Sequence, residues 1–334
     1  MLNALHSFDS KALDLDCEAA AHEIEQAIQR IVAHDLRRQG IVLGVSGGID
    51  SSVCAALAVR ALGPERVLAI LMPEKENSPK STRLGSLLCE HLGIKPIMEN
   101  ITAPLTALGC YERRDNAIRR LFPEFGPGWK QKIGLAAGLL DADRVNYFTL
   151  TVESPDGDRQ SSRMPVDVYL DVVAATNLKQ RIRKTVEYTH ADRLNYAVLG
   201  TPNRLEYELG FFVRGGDGLA DLKPIAHLYK SQVYQMAAHL GLPAEIQGQS
   251  PSTDTYTLPQ SQEEFYYALP YDKLDLALCA YGRGASEEEA ADALGLSVEQ
   301  VHRVYKDIVS KRRTSARILR NAALVQPVEV GSDA

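Results

Sequence analysis

The residues best suited to chemistry are Ser46-Gly47-Gly48-Ile49-Asp50-Ser51. They follow an apolar run, Ile41-Val42-Leu43-Gly44-Val45, that reads as a buried strand, and precede Val53 to Val59, which reads as a helix. Strand, glycine-rich loop and helix together make an anion cradle. Glycine lets the backbone come close to a ligand, and successive N–H groups at a helix N-terminus favour negative charge. Asp50 would repel a bound phosphate unless a cation lay between them, which points to Mg2+. The loop has no Gly-Lys-Ser/Thr, so it is not the common phosphate loop.

A second group lies further along. Arg181 stands four residues after Asn177, on one helix face. Thr201 and Glu206 follow the apolar run Asn195 to Gly200. Gly215-Gly216-Asp217-Gly218-Leu219-Ala220-Asp221 is a flexible loop with two acids. Lys230 opens a helix, and Pro251-Ser252-Thr253-Asp254 is a turn. Each of these alone also fits a solvated charge or a plain turn.

The elements that must position these residues follow from hydrophobic periodicity. Residues 1–16 read as a loose start, and Cys17 to Arg38 as a helix leading into the first strand. Gly63-Pro64 ends the helix after the loop, Val67 to Met72 is a second buried strand, and Ser81 to His91 a short helix. Lys95 to Met98 reads as an edge strand. A long helix resumes at Asp171, and Asn195 to Gly200 is a third buried strand. Buried strands alternating with helices predict an α/β fold, a doubly wound parallel sheet. In such sheets ligands gather at the carboxyl ends of the strands, so the loops after 41–45 and 195–200 should face one crevice.

Residues 104–170 break this pattern. Asn146 to Val152 reads as a strand and Ser154-Pro155-Asp156-Gly157-Asp158 as a turn, which predicts a hairpin, placed as a surface excursion or a lid. Near the end, residues 286–301 look like a helix-turn-helix with Ser286 and Ser297 as N-caps. The first helix is acidic and the second begins Val298-Glu299, a poor surface for DNA phosphates. A net charge of −6 also argues against a broadly basic nucleic-acid surface. The five cysteines are scattered without a C-x-x-C, which disfavours zinc and disulfides and fits a reducing cytoplasm. No apolar run reaches transmembrane length.

Taken in order, these strings resemble the NAD synthetase family, within the ATP pyrophosphatases. The family pattern is carried by Ser46 to Ser51, Asn177-x-x-x-Arg181-x-Arg183, Gly200-Thr201-Pro202-Asn203-Arg204-Leu205-Glu206, Gly216-Asp217-Gly218 through Asp221, Pro224-Ile225 and Lys230, and Pro251-Ser252. It spans roughly 17–103 and 171–315. The resemblance implies a fold of the adenine nucleotide hydrolase type over 17–315, with 104–170 inserted, a helical part at 271–320, and tails at 1–16 and 321–334. It implies ATP-dependent amidation of deamido-NAD+ by ammonia through an acyl adenylate.

The resemblance also assigns roles. The pyrophosphate cradle would be Ser46, Gly47, Gly48 and Ser51, with Gly44, Val45, Ile49 and Asp50 also in the ATP site. Asp50 and Glu206 would hold Mg2+, and Thr201, Lys230 and Ser252 would contact ATP, with Lys230 as the phosphate-neutralising cation. Arg181, Arg214, Asp221, Ser310 and Lys311 would contact deamido-NAD+, and Asp217 would position or deprotonate ammonium. Val213-Arg214 and Ser310-Lys311-Arg312 depart from the family's Thr-Lys and His-Lys-Arg, both on the acceptor side. That motivates an alternative, an amide ligase of the same type acting on another carboxylic acid. A nucleotide-binding regulator is a second alternative. About 40 residues precede the first strand, too few for a glutaminase domain, so free ammonia or a separate glutaminase is expected. A homodimer is the implied assembly.

Overall fold

The computed structural model describes residues 8–135, 140, 147–249, 256–267 and 269–328. The main sheet has four parallel strands: β1 (Ile41–Gly44), β2 (Val67–Leu71), β3 (Ile97–Met98) and, beyond an inserted sheet, β7 (Ala197–Val198). Their order is β3-β2-β1-β7, with Ile41 beside both Val67 and Ala197. β1 is central and almost wholly buried, which is why its sequence is a continuous apolar run.

Helices cover both faces, as expected for a doubly wound sheet. On one side pack α1 (Cys17–Arg30) and α2 (Ile49–Leu62), with α3 (Pro79–His91) after β2. α2 is apolar nearly all round because it lies between the sheet and other helices. On the other side Val42, Ile70 and Val198 meet Ile101, Leu105 and Tyr111, from α4 (Thr102–Ala107) and α5 (Cys110–Arg119) and the turn leading into them. Each fully buried side chain of this kind contributes roughly 1.5–3 kcal/mol.

The inserted stretch builds a three-stranded antiparallel sheet from β4 (Lys130–Leu135), β5 (Phe148–Glu153) and β6 (Arg159–Arg163). The expected hairpin is β5–β6, with Thr149 opposite Arg163. β4 was not expected: its sequence Lys-Gln-Lys-Ile-Gly-Leu carries too little apolar alternation to stand out. The sheet has its own core, where Ile133, Leu150 and Val152 meet Ile118, Phe125 and Val172.

The long helix α6 (Val166–Leu194) starts five residues before the expected Asp171, directly after Pro165, and ends on Asn195 in the left-handed region. Then follow α7 (Arg204–Leu209), α8 (Lys230–His239) and α9 (Ala244–Gln247). The carboxyl part is α10 (Tyr271–Arg283), α11 (Glu287–Leu294) and α12 (Val298–Ile318). Ser286 and Ser297 each close a capping box, as the sequence indicates. One expectation fails near the start. Residues 8–16 are not loose: Leu13 is buried, and the Leu15 N–H donates to Gln235 Oε1 at 3.0 Å.

Candidate active site

The loop between β1 and α2 is held open by local bonds. Gly47 has φ +80°, and a Cβ there would lie 2.7 Å from the Ser81 carbonyl oxygen, so only glycine fits. The Gly48 N–H donates to Ser46 Oγ at 3.3 Å, and Ser51 Oγ donates to the Gly48 carbonyl at 3.0 Å. Asp50 occupies the first turn of α2.

Three other elements converge on Asp50. Asn203 caps α7 and donates from Nδ2 to Asp50 Oδ1 at 3.0 Å. Glu206 completes that capping box, accepting from the Asn203 N–H at 3.1 Å, and also accepts from Gln262 Nε2 at 3.2 Å. Lys230, the first residue of α8, is buried and forms an ion pair with Asp50 Oδ2. Burial and the Asp50 charge push the Glu206 carboxyl up to about 8, against the pull of Lys230. Burial alone would lower the Lys230 ammonium, but Asp50 and Glu206 outweigh it and raise it. Two carboxylates crowded beside one ammonium remain short of positive charge. That donor set fits a hard divalent cation of the Mg2+ type, which takes one or two carboxylates and completes its shell with substrate oxygens and water.

Beside the loop lies a cavity of about 230 Å3. It opens at the carboxyl ends of β1, β2 and β7, where an open α/β sheet collects ligands. Gly44, Val45, Ser46, Ser51 and Thr201 line it, so the loops after the first strand and after β7 share one crevice as expected, and Asp217 joins them from the 215–221 loop. The opposite wall is α6, through Gln180, Arg183, Lys184 and Glu187, which that reading did not select. The only signal for them was the Arg-x-Arg string and an i, i+3 Lys–Glu spacing, which look like surface helix charges. Lys184 instead pairs with Glu187 at 2.7 Å, both buried. Burial raises Glu187 and Lys184 draws it back only in part. Its Oε1 would stand 2.9 Å from a Cβ at Gly44, so that glycine makes room for the carboxylate. Asp217 is raised by burial although its Oδ1 accepts the Val213 N–H at 2.6 Å.

The β2–α3 loop forms the cavity edge through Pro73 and Asn77, and a buried ionic network anchors it. Lys179 Nζ meets Glu74 Oε1 at 2.8 Å and Glu76 Oε2 at 2.7 Å. Arg114 grips Glu76 with two hydrogen bonds at 2.6 and 2.8 Å, and Tyr111 donates to Glu74 Oε2 at 2.7 Å. Although burial works the other way, Arg114 and Lys179 draw Glu76 down to about 2. Asn77 Oδ1 then accepts from Arg183 at 3.0 Å, tying loop to cavity wall.

The residues assigned to the acceptor are more dispersed. Arg181 is exposed and donates to the Arg214 carbonyl at 3.3 Å, so those two are neighbours outside the cavity lining. The Asp221 carboxylate accepts the Val198 N–H at 2.7 Å and the Tyr188 hydroxyl at 3.1 Å. Lys311 is held by Asp307 at 2.6 Å and the Tyr266 carbonyl at 2.9 Å, and burial lowers its ammonium despite Asp307. Ser310 is exposed on α12. Ser252 lies outside the described residues, as does its turn.

Comparison with known proteins decides the family at this point. The NAD synthase family profile matches residues 20–120 and 140–315. The chain belongs to the NAD synthase family. It is 53% identical over 322 residues to the NH(3)-dependent NAD(+) synthetase of Rhizobium meliloti (strain 1021), covering 96% of each chain. It is 52% identical over 326 residues to that of Rhizobium rhizogenes (strain K84 / ATCC BAA-868), covering 97% of this chain and 98% of the relative. The solved structure of NMN synthetase from Francisella tularensis shares the fold, with a TM-score of 0.64 and 21% identity over 93% of this chain and 99% of that one. The doubly wound fold is thereby established, whereas the roles of single residues rest on their geometry. Among the described residues no helix is long and apolar enough to cross a membrane.

Proposed function

We propose that this NAD synthase family member amidates deamido-NAD+ to NAD+, using ATP and ammonia and releasing AMP and pyrophosphate. The observation that carries the reading is the convergence of Asp50, Glu206 and Lys230 on the Ser46–Ser51 loop. The names and full-length similarity of the two rhizobial relatives support the choice of reaction.

The nicotinate carboxylate is a poor acyl donor because its leaving group would be oxide. In the first step one carboxylate oxygen attacks the α-phosphorus, the bond to the bridging oxygen breaks, and pyrophosphate departs. In the second, ammonia attacks the acyl carbon and AMP departs with the bonding pair. Charge on the phosphates opposes the first step, so neutralisation dominates the barrier. The loop N–H groups and the Ser46 and Ser51 hydroxyls bind pyrophosphate oxygens. Lys230, now paired with Asp50, turns its ammonium to the phosphates. Asp50 and Glu206 would hold Mg2+, which supplies further neutralisation when bound. Thr201 contacts ATP from the end of β7, and Ser252 has the same role in this reading. Arg181, Arg214, Asp221, Ser310 and Lys311 are the proposed acceptor contacts. Asp217, its carboxyl raised by burial, is suited to take the proton that ammonium must lose.

The reading extends to a homodimer, to a separate glutaminase as one source of ammonia, and to a cytoplasmic setting, which the five free cysteines suit. The test incubates purified protein with ATP, Mg2+, ammonium and deamido-NAD+. AMP and NAD+ should accumulate in equal amounts, and Lys230→Ala should lower the rate by roughly 10²–10³-fold. AMP formation that requires a different carboxylic acid would overturn the acceptor, and no AMP with any acid would overturn the chemistry.

A further inference from the structure

Tyr267 is among the largest side chains buried in the protein, with 1% of its surface exposed. It belongs to one buried cluster with Leu205 and Leu209 of α7, Tyr229 and Leu274, and its ring lies 5.4 Å from the Phe211 ring. The hydroxyl has no hydrogen-bond partner among the described residues. A buried, unpaired hydroxyl costs about 1–3 kcal/mol, and folded proteins leave few such groups. The neighbouring Tyr266 shows the contrast, donating to the Leu209 carbonyl at 2.8 Å.

The surroundings of that hydroxyl indicate its use. The Tyr267 side chain shares its buried cluster with Leu205 and Leu209, which flank Glu206 on α7. Gln262, five residues earlier, already reaches Glu206 Oε1 at 3.2 Å, so this segment is laid against the carboxylate pair. Burial raises the phenol well above its ordinary range, and the charges of Glu206, Asp50 and Asp275 raise it further. The group therefore stays protonated and acts as a donor. The oxygens of Asp50 and Glu206 already have protein partners: Asp50 takes Asn203 and Lys230, and Glu206 takes the Asn203 N–H and Gln262.

We propose that the Tyr267 hydroxyl is a third polar group of the Asp50–Glu206 site, donating to a water that completes the shell of the bound divalent cation. This rests on the reading that those two carboxylates hold a cation. Tyr267 is thus a positioning residue: it orients the occupant without touching the reacting atoms. Outer partners of this kind typically change metal affinity by roughly 10–100-fold.

The test titrates Mn2+ into the protein with α,β-methylene-ATP, following bound ion by electron paramagnetic resonance. It compares wild type, Tyr267→Phe and Asp50→Asn, and each ligand-free protein is also melted. Tyr267→Phe should bind Mn2+ roughly tenfold or more weakly, while its ligand-free form melts at or above the wild-type temperature, because phenylalanine keeps the packing and removes an unpaired hydroxyl. Equal Mn2+ affinity in wild type and Tyr267→Phe, with binding lost in Asp50→Asn, would overturn this inference and leave the cation site standing. A clear drop in ligand-free melting would also overturn it, since the hydroxyl would then be bonded within the fold. Failure of wild type to bind Mn2+ would overturn the cation site itself.

Discussion

Lys179 tests whether the β2–α3 loop is locked by charge. Its side chain is 2% exposed and lies between Glu74, at 0%, and Glu76, at 12%. Lys179→Met keeps the volume and removes the ammonium. Glu76 still has Arg114 through two hydrogen bonds, so the loss falls on Glu74, left with the neutral donors Tyr111 O–H and Glu76 N–H. Removing one partner of a buried pair costs about 3–5 kcal/mol, and the surviving Arg114 contact puts the expectation at the lower end, ~3 kcal/mol. Adding Glu74→Gln removes the stranded charge and should return at least about 1.5 kcal/mol, a coupling that a double-mutant cycle reads directly. The assay is urea unfolding followed by fluorescence and circular dichroism together, since a chain of this size need not unfold in one step. The loop carries Asn77 to Arg183 at the cavity, so the KM for ATP should rise in Lys179→Met more than kcat falls. A midpoint within about 0.5 kcal/mol of wild type, or a double variant no more stable than the single, would refute the reasoning.

Three further outcomes are expected. Glu76 is depressed to about 2, so its stabilisation is complete above pH ~4.5 and disappears as pH falls toward 2; the shift corresponds to about 3 kcal/mol. Urea midpoints should fall more steeply for wild type than for Glu76→Gln across that window, and parallel curves would contradict the ion pairing. Gly47→Ala forces a Cβ into the left-handed region and against the Ser81 carbonyl, so melting should drop by about 1–2 kcal/mol or more and kcat/KM by roughly 10²-fold. Lys184→Met alone strands the buried Glu187 and should cost about 3 kcal/mol, whereas Lys184→Met with Glu187→Gln should lie within about 1 kcal/mol of wild type by chemical denaturation.

What could be read from the chain alone was whatever is local. Ile41 to Ser52 announces strand, loop and helix because its apolar run, its glycines and its acid act on neighbouring backbone. Lys230 at a helix start and the Ser286 and Ser297 caps are equally local, set by side chains within three residues. The order of motifs then pointed to the family, because spacing along a chain survives without coordinates. The start of α6 is hard to read because its first turns carry apolar Val166 and Leu170 on the exposed side, which blurs the helical period, and β4 because its pairing comes from β5 and its contact from Thr257, both distant in sequence. Charge was the harder matter. Lys179, Arg114, Glu74, Lys184 and Glu187 are indistinguishable in sequence from solvated helix charges, and only the fold takes them out of water and pairs them. Likewise Asp50 and Glu206 can be named as candidate ligands one by one, but Asn203 and Lys230 reach Asp50 from α7 and α8, and Gln262 reaches Glu206 from the chain before α10. Burial and long-range Coulomb contact depend on where distant segments meet, and that is decided by packing rather than by sequence order.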